Sequence, residues 1–146
     1  MAISSELEKR ILTTNDAGLI AILLERLIDN FKNCKACIEN KDYEELMELN
    51  NNSRDILNEL IFQFSGNDEI STRVREVSIY INKLITEGEY KKDTSCFDTS
   101  IKILTPMAEG FQRLEIEDTP KAVTGITYGK GNLGEYSLKE ERSFKA

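Results

Sequence analysis

The stretch Asn15–Ile38, N-D-A-G-L-I-A-I-L-L-E-R-L-I-D-N-F-K-N-C-K-A-C-I, commits this chain to a helical fold. On a wheel of about 100° per residue, Leu19, Ile20, Leu23, Leu24, Leu27, Phe31, Cys34 and Ile38 share one side. Glu25, Arg26, Asp29, Lys32 and Asn33 share the other. The apolar arc takes up nearly half the circumference. A helix with so wide an arc needs two packing partners, or one partner and a surface from outside the chain. Ile22 points away from the arc, into the charged side.

Further helices follow from breaks in the pattern. Residues 1–14 place Ile3, Leu7, Ile11 and Leu12 three and four apart, a short amphipathic arm at most. Thr14 or Asn15 can cap the main helix, and Gly18 weakens its first turn by roughly 1 kcal/mol relative to alanine. Asp42 opens a second helix whose face is Tyr43, Leu46, Met47, Leu49, Ile56, Leu57, Leu60, Ile61 and Phe64. Asn50 and Ser53 interrupt that face, so the layer there is either wet or hydrogen-bonded across the core. Asp68 opens a third helix, from about Glu69 to Glu87, on a stripe of Ile70, Val74, Val77, Ile81, Leu84 and Ile85. Asp93 opens a fourth, where Pro106 predicts a kink or a break near Thr105. The short connections make each helix turn back on the last. The expected architecture is all-α, an antiparallel four-helix bundle over residues 1–114, followed by a flexible C-terminal tail over 115–146. That tail holds half of the eight glycines.

Charge and composition narrow the function. A net charge of -7 repels a phosphate backbone, so nucleic acid is not an expected partner. No apolar run reaches the ~20 residues of a membrane helix, so membrane insertion is not expected. The N-terminus M-A-I-S-S-E-L-E-K-R has no secretory core, which points to the cytoplasm. The chain has three cysteines, an odd number that argues for reduced thiols. The absence of histidine removes the commonest general base and metal ligand.

Two motifs carry less than their spelling suggests. Gly129-Lys130-Gly131-Asn132-Leu133-Gly134 matches G-x-G-x-x-G, but too little chain follows it for the helix and second strand that a dinucleotide site requires. Cys34-Lys35-Ala36-Cys37 reads as C-x-x-C, yet it lies near a helix C-terminus, where the dipole does not favour a thiolate. The pair reads as core packing. Glu44, Glu45, Glu48, Glu59, Glu87 and Glu89 lie on polar faces, where solvation accounts for them. No catalytic set, metal site or cofactor is expected. What remains is surplus apolar surface. Ile22, Phe62 and Ile79 sit off the core stripes of three consecutive helices, the pattern of a groove for a partner helix. Leu27 from the wide arc and Tyr80 at the edge of its stripe complete the groove candidates.

The order of residues adds a resemblance. Ile11-Leu-Thr13-Thr-Asn15-Asp-Ala-Gly-Leu19-Ile-Ala-Ile-Leu23-Leu resembles the opening of the bacterial flagellin-export chaperones, the FliS family. Thr13 matches the motif threonine, Asn15 stands for the capping serine and Leu19 for the motif leucine. Ile38-Glu-Asn-Lys41-Asp42 is similar to the family's first connection. Tyr80-Ile-Asn-Lys-Leu-Ile with Lys91-Lys92-Asp93 is similar to its third helix and the turn after it. Asp16 stands where the family has proline. The resemblance covers roughly residues 11–114. It implies a non-enzymatic helical chaperone of the bacterial cytoplasm that binds the disordered C-terminal segment of flagellin. Such a protein prevents premature polymerisation and helps deliver the client to the export apparatus. The rival expectations are a chaperone for a different flagellar or secreted client, and a regulatory helical bundle with no export client. On the chaperone reading, the tail from Ala122 to Phe144 is expected to cover the groove when no client is bound.

Overall fold

The computed structural model describes residues 5–124, with side chains to Glu117. Five helices run through them: α1 Ser5–Thr13, α2 Asp16–Asn40, α3 Tyr43–Gln63, α4 Glu69–Lys91 and α5 Thr94–Thr124. The all-α expectation holds, with one helix more than the four expected, because the N-terminal arm is itself helical. The chain divides into two compact units, one of Ile20–Gly110 and one of the flanking segments through Leu19 and from Phe111.

Local chemistry sets the helix starts. Asp42 accepts from the Glu45 N–H at 3.3 Å and Asp68 from the Ser71 N–H at 3.0 Å. Asp93 accepts from the Ser95 N–H at 2.9 Å and from its hydroxyl at 2.7 Å. These contacts hold the Asp93 carboxyl below its ordinary range. Two helices end on a residue in the left-handed region, Lys41 at φ 59° and Lys92 at φ 55°. After α2, the Asp42 N–H donates back to Cys37 O at 2.8 Å and the Lys41 N–H to Ile38 O at 3.2 Å. Such a cap favours glycine. Lys41→Gly is therefore expected to raise stability by roughly 0.5–1 kcal/mol, read from the urea midpoint.

The unit Ile20–Gly110 is a helical bundle closed by neighbour contacts. Its core holds Leu24, Leu27 and Phe31 of α2, Leu46, Leu57 and Leu60 of α3, Ile81 and Ile85 of α4, and Phe97 and Leu104 of α5. The Phe31 and Phe97 rings meet at 5.9 Å in a tilted pair. Lys35 and Asp98 form an ion pair beside them. Gly88 lets α5 come close, since a β-carbon there would lie 2.8 Å from the Phe97 ring. The interrupting polar residues bond across the core. Asn30 Nδ2 donates to Asn52 Oδ1 at 2.9 Å and to Ser53 Oγ at 3.0 Å. Asn50 Nδ2 donates to Ile85 O at 3.0 Å and to Glu89 Oε1 at 2.9 Å.

Three expectations need correction. Leu27 is fully buried, so this groove candidate belongs to the core. It sits at the centre of the wide arc, whereas Leu19 at the arc's edge is exposed. Helix α5 also runs unbroken through Pro106. Pro106 and Lys102 are both exposed, so water can reach the turn where the proline withholds a donor. Thr105 Oγ1 bonds the neighbouring Ile101 O at 2.7 Å. The helix continues to Thr124, so residues 115–124, expected in the tail, are helical. Residues 125–146 lie outside the described residues, and with them most of the proposed groove cover and Gly129–Gly134.

The flanking unit is tied by Glu115. Its carboxylate accepts from Arg10 Nη2 at 2.8 Å and from Thr14 Oγ1 at 2.6 Å, and its carbonyl accepts from Asn15 Nδ2 at 3.2 Å. Of the two cap candidates, Asn15 takes the role, accepting from the Gly18 N–H at 2.9 Å. Gly18 has a spatial reason: a β-carbon would overlap Thr14 Oγ1 and reach 2.7 Å from Glu115 Cδ. None of the α1 residues is buried, so polar contacts carry its attachment. The Arg10 hydrogen bond, helped by Thr14, lowers the Glu115 carboxyl below its ordinary range. A lowered carboxyl contributes its stabilisation above the ordinary range and loses it as pH falls through the lowered value. Glu115→Gln is expected to cut amide protection over residues 5–13 about tenfold at neutral pH. Acidifying the wild type should do the same. A truncation that tests the tail must spare Glu115 and the helix that carries it, so it starts after Thr124.

Candidate functional site

Helices α3 and α4 run antiparallel, and their polar pairs set the register. Arg54 Nη2 bonds Thr86 Oγ1 and Glu89 Oε1, both at 3.2 Å, and Asn50 meets Ile85 and Glu89. Arg75 donates to Phe64 O and Gly66 O at the end nearer the α3–α4 connection. At the other end, Lys92 Nζ stands 4.7 Å above the Tyr43 ring. The flank of α3 that carries Asn50 and Arg54 therefore meets the flank of α4 that carries Ile85, Thr86 and Glu89.

Helical periodicity then places the exposed apolar residues. Phe62 is 76% exposed and Ile79 is 49% exposed, and both fall on the outer side of this seam toward the connection. Met47 and Tyr90 fall on the same outer side toward the far end, and both are exposed. The result is a seam with apolar residues at each end and polar groups between. Met47 and Tyr90 are not among the sequence candidates: the spacing of Met47 fits the core face, and Tyr90 lies beyond Glu87, where the apolar stripe of the third helix ends.

The remaining candidates do not join this surface. Tyr80 is exposed on the flank of α4 turned away from α3. Ile22 is only partly exposed, on the flank of α2 nearer α3. Leu27 is in the core. Leu19 is 40% exposed, and Thr13 closes α1 with its hydroxyl donating to Lys9 O at 2.9 Å.

The chemistry of the site is apolar contact and hydrogen bonding. All three cysteines are buried and free. Burial pushes the Cys34 thiol up to about 12, with Cys37, Glu89 and Glu45 adding to the rise. Cys37 and Cys96 are raised as well, first by burial. A thiol in that state is a poor nucleophile. Thiol reagents at pH 8 are expected to leave the folded protein unlabelled and to label all its cysteines in denaturant, which mass spectrometry counts. Among the described residues, no group of three or more His, Cys, Asp or Glu could hold a metal ion. No helix among them is long and apolar enough to cross a membrane.

Comparison with protein families gives a match that spans most of the chain. The family described as flagellar protein FliS matches residues 1–118. No curated protein matches the chain.

Proposed function

We infer a client-binding role from one premise: the chain belongs to the flagellar protein FliS family. Its members are non-enzymatic chaperones, associated with flagellin. The specific proposal is that this chain binds the disordered C-terminal segment of flagellin in the bacterial cytoplasm. It thereby prevents premature polymerisation and helps deliver the client to the export apparatus.

The observation that carries this reading is the pairing of a filled core with large apolar side chains left in water. Phe62 and Ile79 stand exposed beside a bundle whose interior is already complete. Single exposed apolar residues are ordinary, but several along one seam suit the apolar face of an incoming helix. The mechanism is coupled folding and binding. The client's amphipathic segment becomes helical as its apolar side is covered, and that burial offsets the several kcal/mol needed to order it. Ile22 and Tyr80 extend the proposed contact to neighbouring flanks.

Calorimetry with a peptide of the flagellin C-terminal region tests the reading. Binding at micromolar concentration with a gain of helical circular dichroism is expected. No heat and no binding at those concentrations would overturn it.

A further inference from the structure

Along the α3–α4 seam the buried side-chain oxygens and nitrogens are paired, with one exception. Asn50 and Arg54 reach Ile85, Thr86 and Glu89, and Thr86 Oγ1 in turn donates to the Asn82 backbone carbonyl at 2.8 Å. One turn before Thr86, the Asn82 side-chain oxygen Oδ1 is shut off from solvent and accepts no hydrogen bond. It is the one such side-chain atom among the described residues. An amide oxygen in that position has given up hydration and received nothing for it. Native proteins seldom keep such an atom without a use for it.

Its surroundings say what the use is. Asn82 lines an open concavity on the outer side of α4 together with Lys83, Thr86, Glu87, Tyr90 and Lys91. The residue is only partly buried. The χ2 torsion of an asparagine is broad, so rotation of the amide can present its oxygen to a group that fills the concavity. Along α4 it stands between Ile79 and Tyr90, the exposed apolar residues at the two ends of the seam. An acceptor lacking its donor, set between two apolar ends, fits a helix that is apolar at its ends and carries a donor in its middle.

We propose that Asn82 is a specificity-determining residue of this surface, whose side-chain oxygen receives an N–H or O–H donor from an amide, hydroxyl or guanidinium side chain of the bound segment. The inference rests on the client-binding reading above and names the chemistry that the client must bring. A segment with an apolar side chain at that point leaves the acceptor unmet and binds less tightly.

The test uses the full chain and a synthetic peptide of the flagellin C-terminal region, titrated into wild type, Asn82→Ala, Asn82→Leu and Asn82→Asp. Asn82→Leu keeps the bulk and removes the acceptor; Asn82→Asp keeps an acceptor. We expect the Ala and Leu variants to bind about tenfold more weakly and the Asp variant to stay within about threefold of wild type. The free Ala and Leu variants should unfold at the wild-type urea midpoint or above it, since the lost atom had no partner there. One peptide substitution that removes a donor should weaken binding to wild type but leave binding to Asn82→Leu unchanged. If wild type binds and the Ala and Leu variants bind equally well, this inference falls and the client-binding reading stands. A lowered midpoint with unchanged affinity overturns it too, and assigns Asn82 a structural partner such as a bound water. If wild type itself does not bind the peptide, both readings fall together.

Discussion

Replacing Asn50 by alanine is expected to lower folding stability by about 3 kcal/mol, seen as a fall in the urea midpoint with an unchanged slope. Asn50 is fully buried. Its amide nitrogen serves two acceptors on α4, and its oxygen accepts from the Cys34 thiol of α2 at 3.5 Å. One side chain thus joins three helices at one level of the core. Alanine would remove all three contacts and leave a void of several heavy atoms in a layer that cannot collapse, because Asn30 and Ser53 hold its other side. The Glu89 carboxylate would lose its bond to Asn50 and keep that to Arg54. Asn50→Asp should be worse, because a carboxylate would face Glu89 Oε1 where a donor now stands. If alanine costs less than about 1 kcal/mol, the layer is better described as solvated than as hydrogen-bonded.

That layer also marks what the sequence made legible. Asn50 and Ser53 stood out as polar breaks in an apolar face, and the need for buried polar groups to pair required partners across the core. Their identity was out of reach, since Ile85 and Glu89 lie on another helix. The caps at Asp42, Asp68 and Asp93 were legible because each bonds a backbone amide two or three residues on. Glu115 was not. Its partners lie about a hundred residues away, beyond the reach of any local pattern. Gly18 was the available signal, an oddly placed glycine in the first turn of the best helix, next to two side chains able to donate. Leu27 departs from expectation for a different reason. Periodicity gives the width of an apolar arc but does not say which part of it touches neighbours, and the centre was filled first. Pro106 predicts a break through its missing donor, but on an exposed face of the helix water can meet the carbonyl left without one.

Phe62→Ala combined with Ile79→Ala is expected to weaken binding of the flagellin peptide by about tenfold to a hundredfold while shifting stability by no more than about 0.5 kcal/mol. The two expectations come from one fact. Side chains already exposed to this degree bury little in the free protein, so their loss costs the fold little. Covered by a client, each could contribute about 1–2 kcal/mol of apolar burial. Phe62 is the sharper probe of the pair because it is the more exposed. Ile22→Lys, on a partly buried side chain, should likewise spare the fold and weaken binding, but some loss of stability there would not separate a groove from a core edge. The double substitution separates them. A protein that unfolds would place Phe62 and Ile79 in packing that their exposure contradicts. A stable protein with undiminished affinity, while wild type binds, would move the client off the α3–α4 seam and toward the flank that carries Tyr80. Retained stability with lost affinity would tie the surplus apolar surface to the client.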